Sequence, residues 1–239
     1  MAEDTVRINK FLSQSGYCSR READSLITQD RVLINGKKAS MGQQVGPQDL
    51  VLVDGEVLSQ KPQKKKLYLA FHKPVGIVCT TDTRVEKDNI IDFINYPQRI
   101  FPIGRLDKMS EGLILLTNIG DLVNAVLRKR FGHEKEYIVW LNNPITSDKV
   151  RLLRQGIEIG DGKTLPCKIK QLAPNQLVIT LTEGRNRQIR RMIEAVELKV
   201  ARLKRVRFMH LKLEKLPKGK WRELSKHELD DLFAAAKLS

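Results

Sequence analysis

The sequence is poor in cysteine and histidine and has no long apolar run. Its three cysteines, Cys18, Cys79 and Cys167, form no Cys-x-x-Cys pair, so we expect reduced thiols and no disulfide framework. The four histidines are scattered, which gives little support to a metal site. No apolar run reaches about 18 residues, and residues 1–4 do not resemble a signal peptide. We therefore expect a cytoplasmic protein with no membrane segment and no bound metal.

Acidic residues are in deficit. The sequence has 28 Asp and Glu but 43 Lys and Arg, which gives a net charge of +15 and a pI near 9.8. This excess of positive charge predicts a polyanionic partner. Residues 185–222 hold 14 basic and three acidic residues, whereas residues 1–66 hold 11 and eight. The basic stretch is interleaved with apolar residues, so it belongs to folded elements. With 41% hydrophobic residues in 239, the chain is long enough for one medium and one small domain.

The first 60 residues have the pattern of two short helices followed by a small sheet. Ile8, Phe11 and Leu12 take the i, i+3 and i+4 positions of an amphipathic helix from about residue 6. The segment from Ser19 to Glu22 has a capping-box pattern that begins a second helix. The turns Asn35-Gly36 and Asp54-Gly55 separate short apolar runs and predict hairpins. Residues 61–66 are polar and basic and predict a linker, so we expect domains over 1–60 and 67–239.

The larger domain mixes strand and helix patterns. Strands are predicted over residues 67–71, 112–117, from 137 onward, 177–181 and 200–209, the last with one solvated, basic side that carries Lys204, Arg205 and Arg207. A helix is predicted after Asn186, with Arg190 and its neighbour Arg191 away from the apolar stripe. Residues 145–173 resemble an insertion, with a helix and a strand pair and no evident chemistry. The last predicted helix follows a second capping box at residues 225–228.

Arg105 and Asp107 mark the segment around which the large domain is organised. They follow a short apolar run and precede Gly112–Thr117, so the carboxylate sits where a strand leaves the core. From spacing alone, an ordinary surface ion pair is the alternative. However, the sequence Gly104-Arg105-Leu106-Asp107, followed by Glu111-Gly112-Leu113 and by Gly120-Asp121-Leu122, resembles the active-site segment of the RNA pseudouridine synthases. The resemblance is to the branch that modifies ribosomal RNA and carries a small RNA-binding domain in front.

This resemblance implies a fold class and a division of the chain. It implies an α+β protein, with a mixed, largely antiparallel sheet in the pseudouridine synthase catalytic domain. The N-terminal pattern around Ser19-Arg20-Arg21-Glu22-Ala23 resembles the alpha-L RNA-binding domain, also called the S-four type. In that domain basic side chains contact RNA phosphates without reading sequence, and the candidates here are Arg7, Lys10, Arg20 and Arg21. A small protein-docking module is the alternative for this region.

The resemblance also implies roles in catalysis. Asp107 corresponds to the catalytic carboxylate, and Tyr137 to the aromatic residue that stacks on the flipped uracil. Arg190 matches the basic residue that pairs with the carboxylate, although spacing leaves Arg187 open for that role. Arg105 corresponds to the arginine associated with filling the space of the flipped base, and Leu203 to an apolar pocket wall. No cofactor is implied, and Lys73 is either a phosphate contact or a surface lysine of a turn.

The implied reaction is the isomerisation of uridine to pseudouridine in RNA. The implied target is a uridine of large-subunit ribosomal RNA near the peptidyl-transferase region, with a tRNA anticodon uridine as a second target. The rival hypotheses are a non-catalytic ribosome-assembly factor or RNA chaperone, and a metal-dependent nuclease. A nuclease needs clustered carboxylates, and Asp107, Glu111 and Asp121 are not spaced as ligands on one face. The sequence leaves open the exact uridine, the order of attack and the oligomeric state, with a monomer as the default.

Overall fold

The structure, a computed structural model, describes residues 5–58, 65–82, 86–127 and 132–237. It divides the chain into two compact units, Met1–Lys66 and Leu67–Ser239. Most of the predicted linker, residues 61–64, lies outside the described residues. Each unit has a hydrophobic core of its own. Among the residues that the structure describes, no helix is long and apolar enough to cross a membrane.

The small unit contains two helices and short strands, as the sequence predicts. The predicted capping box of α2 is confirmed, because Ser19 Oγ accepts the Glu22 N–H at 3.1 Å and the Glu22 carboxylate accepts the Ser19 N–H at 2.8 Å. Both predicted hairpin turns are present, and α1 begins at Ile8 because the two preceding residues form a strand instead. The elements are β1 (Val6–Arg7), α1 (Ile8–Gln14), α2 (Arg20–Thr28), β2 (Val32–Ile34), β3 (Lys37–Lys38), β4 (Gln44–Val45), β5 (Val51–Val53) and β6 (Glu56–Val57).

The large unit is built on one mixed sheet. Within the described residues the sheet has nine strands, in the order β11-β12-β10-β13-β9-β7-β15, with β14 beside β13 and β8 beside β9. Neighbours are antiparallel except for the central pair β9 and β13, which is parallel, so the predicted mixed, largely antiparallel sheet is confirmed. The strands are β7 (Tyr68–Lys73), β8 (Phe101–Ile103), β9 (Glu111–Thr117), β10 (Lys135–Leu141), β11 (Lys168–Ala173), β12 (Gln176–Leu181), β13 (Val200–Phe208), β14 (Leu211–Lys212) and β15 (Trp221–Glu223).

Five helices accompany this sheet in the described part of the large unit. They are α3 (Ile90–Ile94), α4 (Gly120–Val126), α5 (Ser147–Gln155), α6 (Gln188–Glu194) and α7 (Lys226–Ala236). The predicted capping box of α7 is confirmed by Ser225 and Glu228. The predicted insertion at residues 145–173 is part of the fold, because β11 is the edge strand beside β12 and its Ile169 packs in the same core cluster as helix α6.

A glycine makes the parallel pair at the centre of the sheet possible. Gly112 has φ +115°, and a Cβ atom there would lie 2.2 Å from the Arg205 carbonyl oxygen and 2.6 Å from the Arg205 nitrogen. No side chain fits that gap. Gly112 and Arg205 are register partners, and the adjacent partners are Glu111 and Lys204. The two halves of the sheet therefore meet along two residues of each strand.

Strand β13 alternates between its two faces, but its basic residues are not all solvated. Leu203 and Arg205 are buried, at 5% and 4% exposure, whereas Lys204 between them points to the other face and is half-buried. The prediction of one solvated, basic side was therefore wrong for Arg205, because consecutive residues of a strand point to opposite faces. Arg205 belongs to the interior.

Candidate active site

A cavity of about 400 Å³ lies where the segment before β9 faces β10, β13 and the start of α6. Its lining contains most of the residues that the resemblance singled out in the large unit. They are Arg105, Asp107, Tyr137, Arg187 and Leu203. Residues 98 positions apart in sequence thus meet around one concave space, since Arg105 precedes β9 and Leu203 lies on β13. The cavity is the natural place for a substrate group.

The backbone around Asp107 is tied down on both sides. The Ser110 N–H donates to the Asp107 carbonyl oxygen at 3.0 Å, and the Gly76 N–H donates to the Lys108 carbonyl oxygen at 2.8 Å. Leu106 is buried, and its N–H donates to the Cys79 Sγ at 3.4 Å. Asp107 itself is half-buried and lines the cavity. These contacts fix the backbone of the loop from which the Asp107 side chain projects.

Arg190 holds this loop from the other side. It is only 9% exposed, and its guanidinium donates to the Met109 carbonyl oxygen at 2.7 Å and to the Val200 carbonyl oxygen at 3.4 Å. Arg190 is therefore buried, although the sequence places it away from the apolar stripe of its helix. Burial lowers its pKa, the charge of Arg187 lowers it further, and the charge of Asp107 opposes both. Arg190 thus acts on Asp107 electrostatically, while its hydrogen bonds go to carbonyl groups.

Arg187 is the exposed arginine at the rim of the cavity. It precedes α6 with φ +49°, a left-handed conformation that is uncommon for a residue with a side chain. Its neighbours are engaged elsewhere, since Arg185 donates to the carbonyl oxygens of residues 161–163 and Arg191 bonds to Asp161 and to the Ile159 carbonyl. These bonds attach the segment at residues 159–163 to the start of α6. Arg187 is left to face the cavity.

Tyr137 and Leu203 form the floor of the cavity on adjacent strands. Tyr137 lies on β10 and packs against two of the core clusters of the large unit, and Leu203 is the register partner of Val139 on the same strand. The register partner of Tyr137 is Arg205. Arg205 lines the cavity and was not among the predicted site residues. Strand alternation with Leu203 was the signal that could have found it.

Lys73 lies beneath the Asp107 loop. It is fully buried, at 0% exposure. Lys73 is therefore neither a phosphate contact nor a surface lysine of a turn, and both predictions for it were wrong. Its Nζ donates to the Pro74 carbonyl oxygen at 2.8 Å and to the Lys108 carbonyl oxygen at 3.5 Å. Burial lowers its pKa to about 8, and its electrostatic interactions with Cys79, Asp107 and Glu111 oppose this shift. Lys73 therefore supports the loop from within the core.

Glu111, the second carboxylate near the loop, is occupied by cations. It is 1% exposed and pairs with Arg202 and, at 2.9 Å, with Lys218. Burial alone would raise its pKa, but the hydrogen bonds from Lys218 and Arg202 outweigh burial and lower it. Across the described ranges, no three His, Cys, Asp or Glu side chains lie close enough to hold a metal ion. The donor arrangement therefore gives no support to the metal-dependent nuclease.

The candidate phosphate contacts of the small unit are placed on and around its two helices. Arg7, at the start of α1, and Arg20 and Arg21, at the start of α2, are exposed, and Lys10 on α1 is half-buried. The exposed side chains of Arg7, Arg20 and Arg21 are accessible to RNA phosphates. Their role stays a prediction.

Comparison with known proteins gives consistent results for both units. A family model described as RNA pseudouridylate synthase matches residues 67–195, and one described as S4 domain matches residues 6–51. The chain is 49% identical over 233 residues to the dual-specificity RNA pseudouridine synthase RluF of Escherichia coli (strain K12), covering 98% of this chain and 80% of the relative. It is 36% identical over 239 residues to the ribosomal large subunit pseudouridine synthase B of Bacillus subtilis (strain 168), covering 96% of each. A crystal structure of a pseudouridylate synthase has a TM-score of 0.69 and 30% identity, covering 95% of this chain and 99% of that one.

Proposed function

The chain belongs to the RNA pseudouridylate synthase family, and from this membership we propose that its substrate is a specific uridine of large-subunit ribosomal RNA. One relative is named for the large ribosomal subunit, and another, at 49% identity, is named for dual specificity. A second RNA therefore fits the proposal, and a tRNA anticodon uridine is our candidate. We place the protein in the cytoplasm, where both RNAs are found, and propose that it acts as a monomer.

The reaction rearranges one nucleotide and has no other reactant. The bond between N1 of uracil and C1′ of ribose breaks, the base turns within the site, and a bond forms between C5 and C1′. The C5 hydrogen leaves as a proton, and N1 takes up a proton. Atoms and electrons balance without an oxidant, a reductant or a group carrier. The protein therefore needs a carboxylate, a base pocket and a proton path, and we expect no cofactor.

The observation that carries the proposal is the meeting of Asp107 and Tyr137 in one cavity. Asp107 comes from the loop before β9, and Tyr137 comes from β10. In the sheet β13 lies between β10 and β9. In the proposed site the Tyr137 ring stacks on the uracil, and Leu203 packs against the base edge. The Asp107 carboxylate then reaches C1′ or C6, and either order of attack is compatible with this arrangement.

Positive charge near Asp107 supports this role. Arg190 and Lys73 both interact electrostatically with the Asp107 carboxylate from buried positions. Opposite charges in a poorly solvated site interact strongly. We assign to Arg190 two tasks, to hold the Met109 carbonyl and to act on the carboxylate, and we keep Arg187 at the rim as an RNA contact.

The substrate base must leave its stack before it can enter the cavity. Unstacking costs a few kcal/mol, and enzymes that act on bases recover this cost through contacts to the flipped nucleotide. Arg105 is exposed beside Asp107 and lines the cavity. We propose that its guanidinium occupies the space from which the uridine departs.

The two units divide the work in this proposal. Residues 67–239 carry the chemistry, and residues 1–60 add RNA contacts through Arg7, Lys10, Arg20 and Arg21. The linker over residues 61–66 joins them. An accessory domain that binds phosphates raises affinity for the whole RNA without reading the sequence.

A non-catalytic assembly factor is the competing function. It would keep the fold and the basic charge, and it would not need Asp107. The first experiment is pseudouridine mapping of total ribosomal RNA and tRNA from cells with and without the gene. We expect one uridine to lose its mark, to regain it with the wild-type gene, and to stay unmodified with Asp107→Ala. Restoration by Asp107→Ala would favour the assembly factor.

If no mark is lost in cells, a tritium-release assay on unmodified RNA decides between redundancy and inactivity. RNA labelled with tritium at C5 of uridine releases the label to water when C5 bonds to C1′ and the C5–H bond then breaks. Release by the purified wild-type protein supports the enzyme, and its absence on both ribosomal RNA and tRNA contradicts the proposal.

A further inference from the structure

Within the described part of the chain, two cations on the cavity floor have no carboxylate partner. Arg205 is 4% exposed, its Nε donates to the Leu113 carbonyl oxygen at 2.7 Å, and its guanidinium carbon lies 5.5 Å from the centroid of the Phe208 ring. Lys135 Nζ donates to the His133 carbonyl oxygen at 2.8 Å and lies 5.9 Å from the same ring. Neither forms an ion pair with an Asp or Glu within the described ranges, and both line the cavity.

The sheet register places both cations beside the proposed base pocket. Arg205 is the register partner of Tyr137, and Lys135 is the register partner of Phe208. Directly opposite side chains of paired strands lie about 5 Å apart at Cβ. Lys135 and Tyr137 are two residues apart on β10, with a register shift against β13 between Glu136 and Tyr137, and both line the cavity. A group that contacts Lys135 and Arg205 therefore lies next to a base stacked on Tyr137.

The closeness of Lys135 and Arg205 raises the free energy of the protein without RNA, because both side chains are cationic. Burial lowers the pKa of Lys135, and the charge of Arg205 lowers it further. Besides Asp107, the carboxylate that lines the cavity is Glu183, and its oxygens already accept hydrogen bonds from Arg185, Gln188 and the Leu165 N–H. Two like charges in a poorly solvated site repel each other unless an anion joins them. The arrangement is that of an anion site.

We propose that Lys135 and Arg205 bind a phosphodiester group of the RNA strand directly beside the flipped uridine. This inference rests on the proposed function, because it takes RNA as the substrate. A uracil carbonyl is neutral and would be satisfied by one donor, whereas a phosphodiester carries a full negative charge and several acceptor oxygens, which suit two cations. Binding at this point would fix the sugar of the target nucleotide relative to Asp107.

The test removes one charge from the RNA and one from the protein and measures the binding affinity. The probe is a short fragment of ribosomal RNA around the uridine that mapping identifies, with a neutral methylphosphonate at the phosphate on its 5′ or its 3′ side. The protein variant is Lys135→Gln, which removes the charge, keeps a polar side chain one atom shorter than that of lysine, and leaves the buried Arg205 intact. Lys204→Gln is the matched control, because Lys204 lies next to Arg205 on β13 and faces away from the cavity.

We expect the wild-type protein to bind one of the two methylphosphonate RNAs about tenfold more weakly than the unmodified RNA, the scale of one charge-assisted hydrogen bond. The Lys135→Gln protein should bind unmodified RNA about tenfold more weakly and respond less than twofold to the same methylphosphonate. The Lys204→Gln protein should keep the full tenfold response. This binding measurement does not depend on turnover, so it is separate from the test of the proposed function.

Two results would overturn the inference. One is wild-type binding that is indifferent to the methylphosphonate at either position. The other is a Lys135→Gln protein that keeps the full response of the wild type. Absence of turnover on the unmodified fragment, with the phosphate response intact, would instead count against the proposed function and leave the anion site standing.

Discussion

The Arg190 guanidinium donates a hydrogen bond of 2.7 Å to the carbonyl oxygen of Met109, two residues beyond Asp107. This bond joins helix α6 to the loop that carries the candidate catalytic carboxylate. Arg190 also acts on Asp107 through its charge. The Arg190 side chain therefore both stabilises the loop and acts on the Asp107 carboxylate. Different substitutions are needed to separate these two effects.

Replacing Arg190 should affect folding and activity together. We expect Arg190→Ala to lower the free energy of unfolding by about 2–4 kcal/mol, because two carbonyl groups lose their donor, and to lower kcat by at least about 100-fold. Arg190→Lys, which keeps the charge, should recover part of kcat. Urea unfolding and single-turnover kinetics measure both effects.

Arg187→Ala is the companion variant. Arg187 is exposed, so this protein should unfold like the wild type and lose mainly RNA affinity. If Arg190→Ala kept nearly full activity while Arg187→Ala lost it, the catalytic cation would be Arg187.

Asp107→Asn removes a charge and keeps the shape of the side chain. Asp107 is half-buried, so we expect an unfolding free energy within about 0.5 kcal/mol of the wild type. RNA affinity should change less than about threefold, while turnover falls below detection, since an amide cannot act as the nucleophile. Appreciable isomerisation by a well-folded Asp107→Asn protein would remove Asp107 from the mechanism.

Gly112→Ala tests the parallel pair at the centre of the sheet. A Cβ atom at this position would overlap the Arg205 backbone at 2.2 Å, so the strands have to separate and we expect a loss of about 3 kcal/mol or more in unfolding free energy. Gly76→Ala is the control, because Gly76 also has a positive φ of +93° but nothing within 4 Å of its Cβ position. It should lose only about 1 kcal/mol. Equal losses of unfolding free energy in Gly112→Ala and Gly76→Ala would show that the close approach of Gly112 to Arg205 does not determine the stability of the sheet.

Lys73 should make the stability of the protein depend on pH. Its pKa falls from 10.5 in the unfolded chain to about 8 in the fold. Between these values the unfolded chain binds more protons, so the free energy of unfolding rises with pH, by about 3 kcal/mol over the window. Lys73→Met keeps most of the side-chain volume and should lack this rise.

The measurement is the difference in unfolding free energy between the wild type and Lys73→Met at pH 7.0, 8.5 and 10.0. Burial raises the pKa of the Cys79 and Cys167 thiols, which lowers stability as pH rises through the unfolded thiol pKa. Both proteins keep these thiols, so the difference reports mainly Lys73, with a smaller contribution from Cys79, whose pKa the charge of Lys73 lowers. A difference that is constant with pH would show that Lys73 stays charged throughout.

The double variant Arg20→Gln and Arg21→Gln tests the small unit. Both side chains are exposed at the start of α2. We expect weaker binding to long RNA, a slope of log affinity against log salt that is smaller by up to about two, and an unchanged kcat on a short substrate. Lys37→Gln, on β3 of the same unit, is the control. Unchanged affinity and salt slope in the double variant would contradict the accessory role.

Local sequence patterns were sufficient to predict most elements of this fold. The capping boxes at Ser19 and Ser225, the turn glycines and the apolar run of β9 act through neighbours in the chain, and each is present. The boundaries differ by one or two residues where a tertiary contact decides them. At Val6, pairing with β4 replaces the first turn of the predicted helix.

The buried basic residues could not be predicted in this way. Helical periodicity assumes one covered face, but α6 is covered on two sides, so Arg190 is enclosed although it lies off the apolar stripe. Strand alternation puts Arg205 on the face of the apolar Leu203, but it does not show that an arginine on that face is enclosed; the hydrogen bond from Arg205 to the Leu113 carbonyl of β9 does. Lys73 is buried by a loop 35 positions later in the chain. Each case depends on contacts between distant segments.

The parallel contact between β9 and β13 also has a consequence for synthesis of the chain. Leu113 and Arg205, joined by a hydrogen bond across this contact, are 92 residues apart, so at translation rates of about 5–20 residues per second β13 emerges roughly 5–20 seconds after β9. During this interval β7, which precedes β9, can already pair with it, while the cavity does not yet exist. In refolding from urea the whole chain is present, but the same contact still closes a loop of 92 residues, so recovery of activity should lag behind recovery of secondary structure.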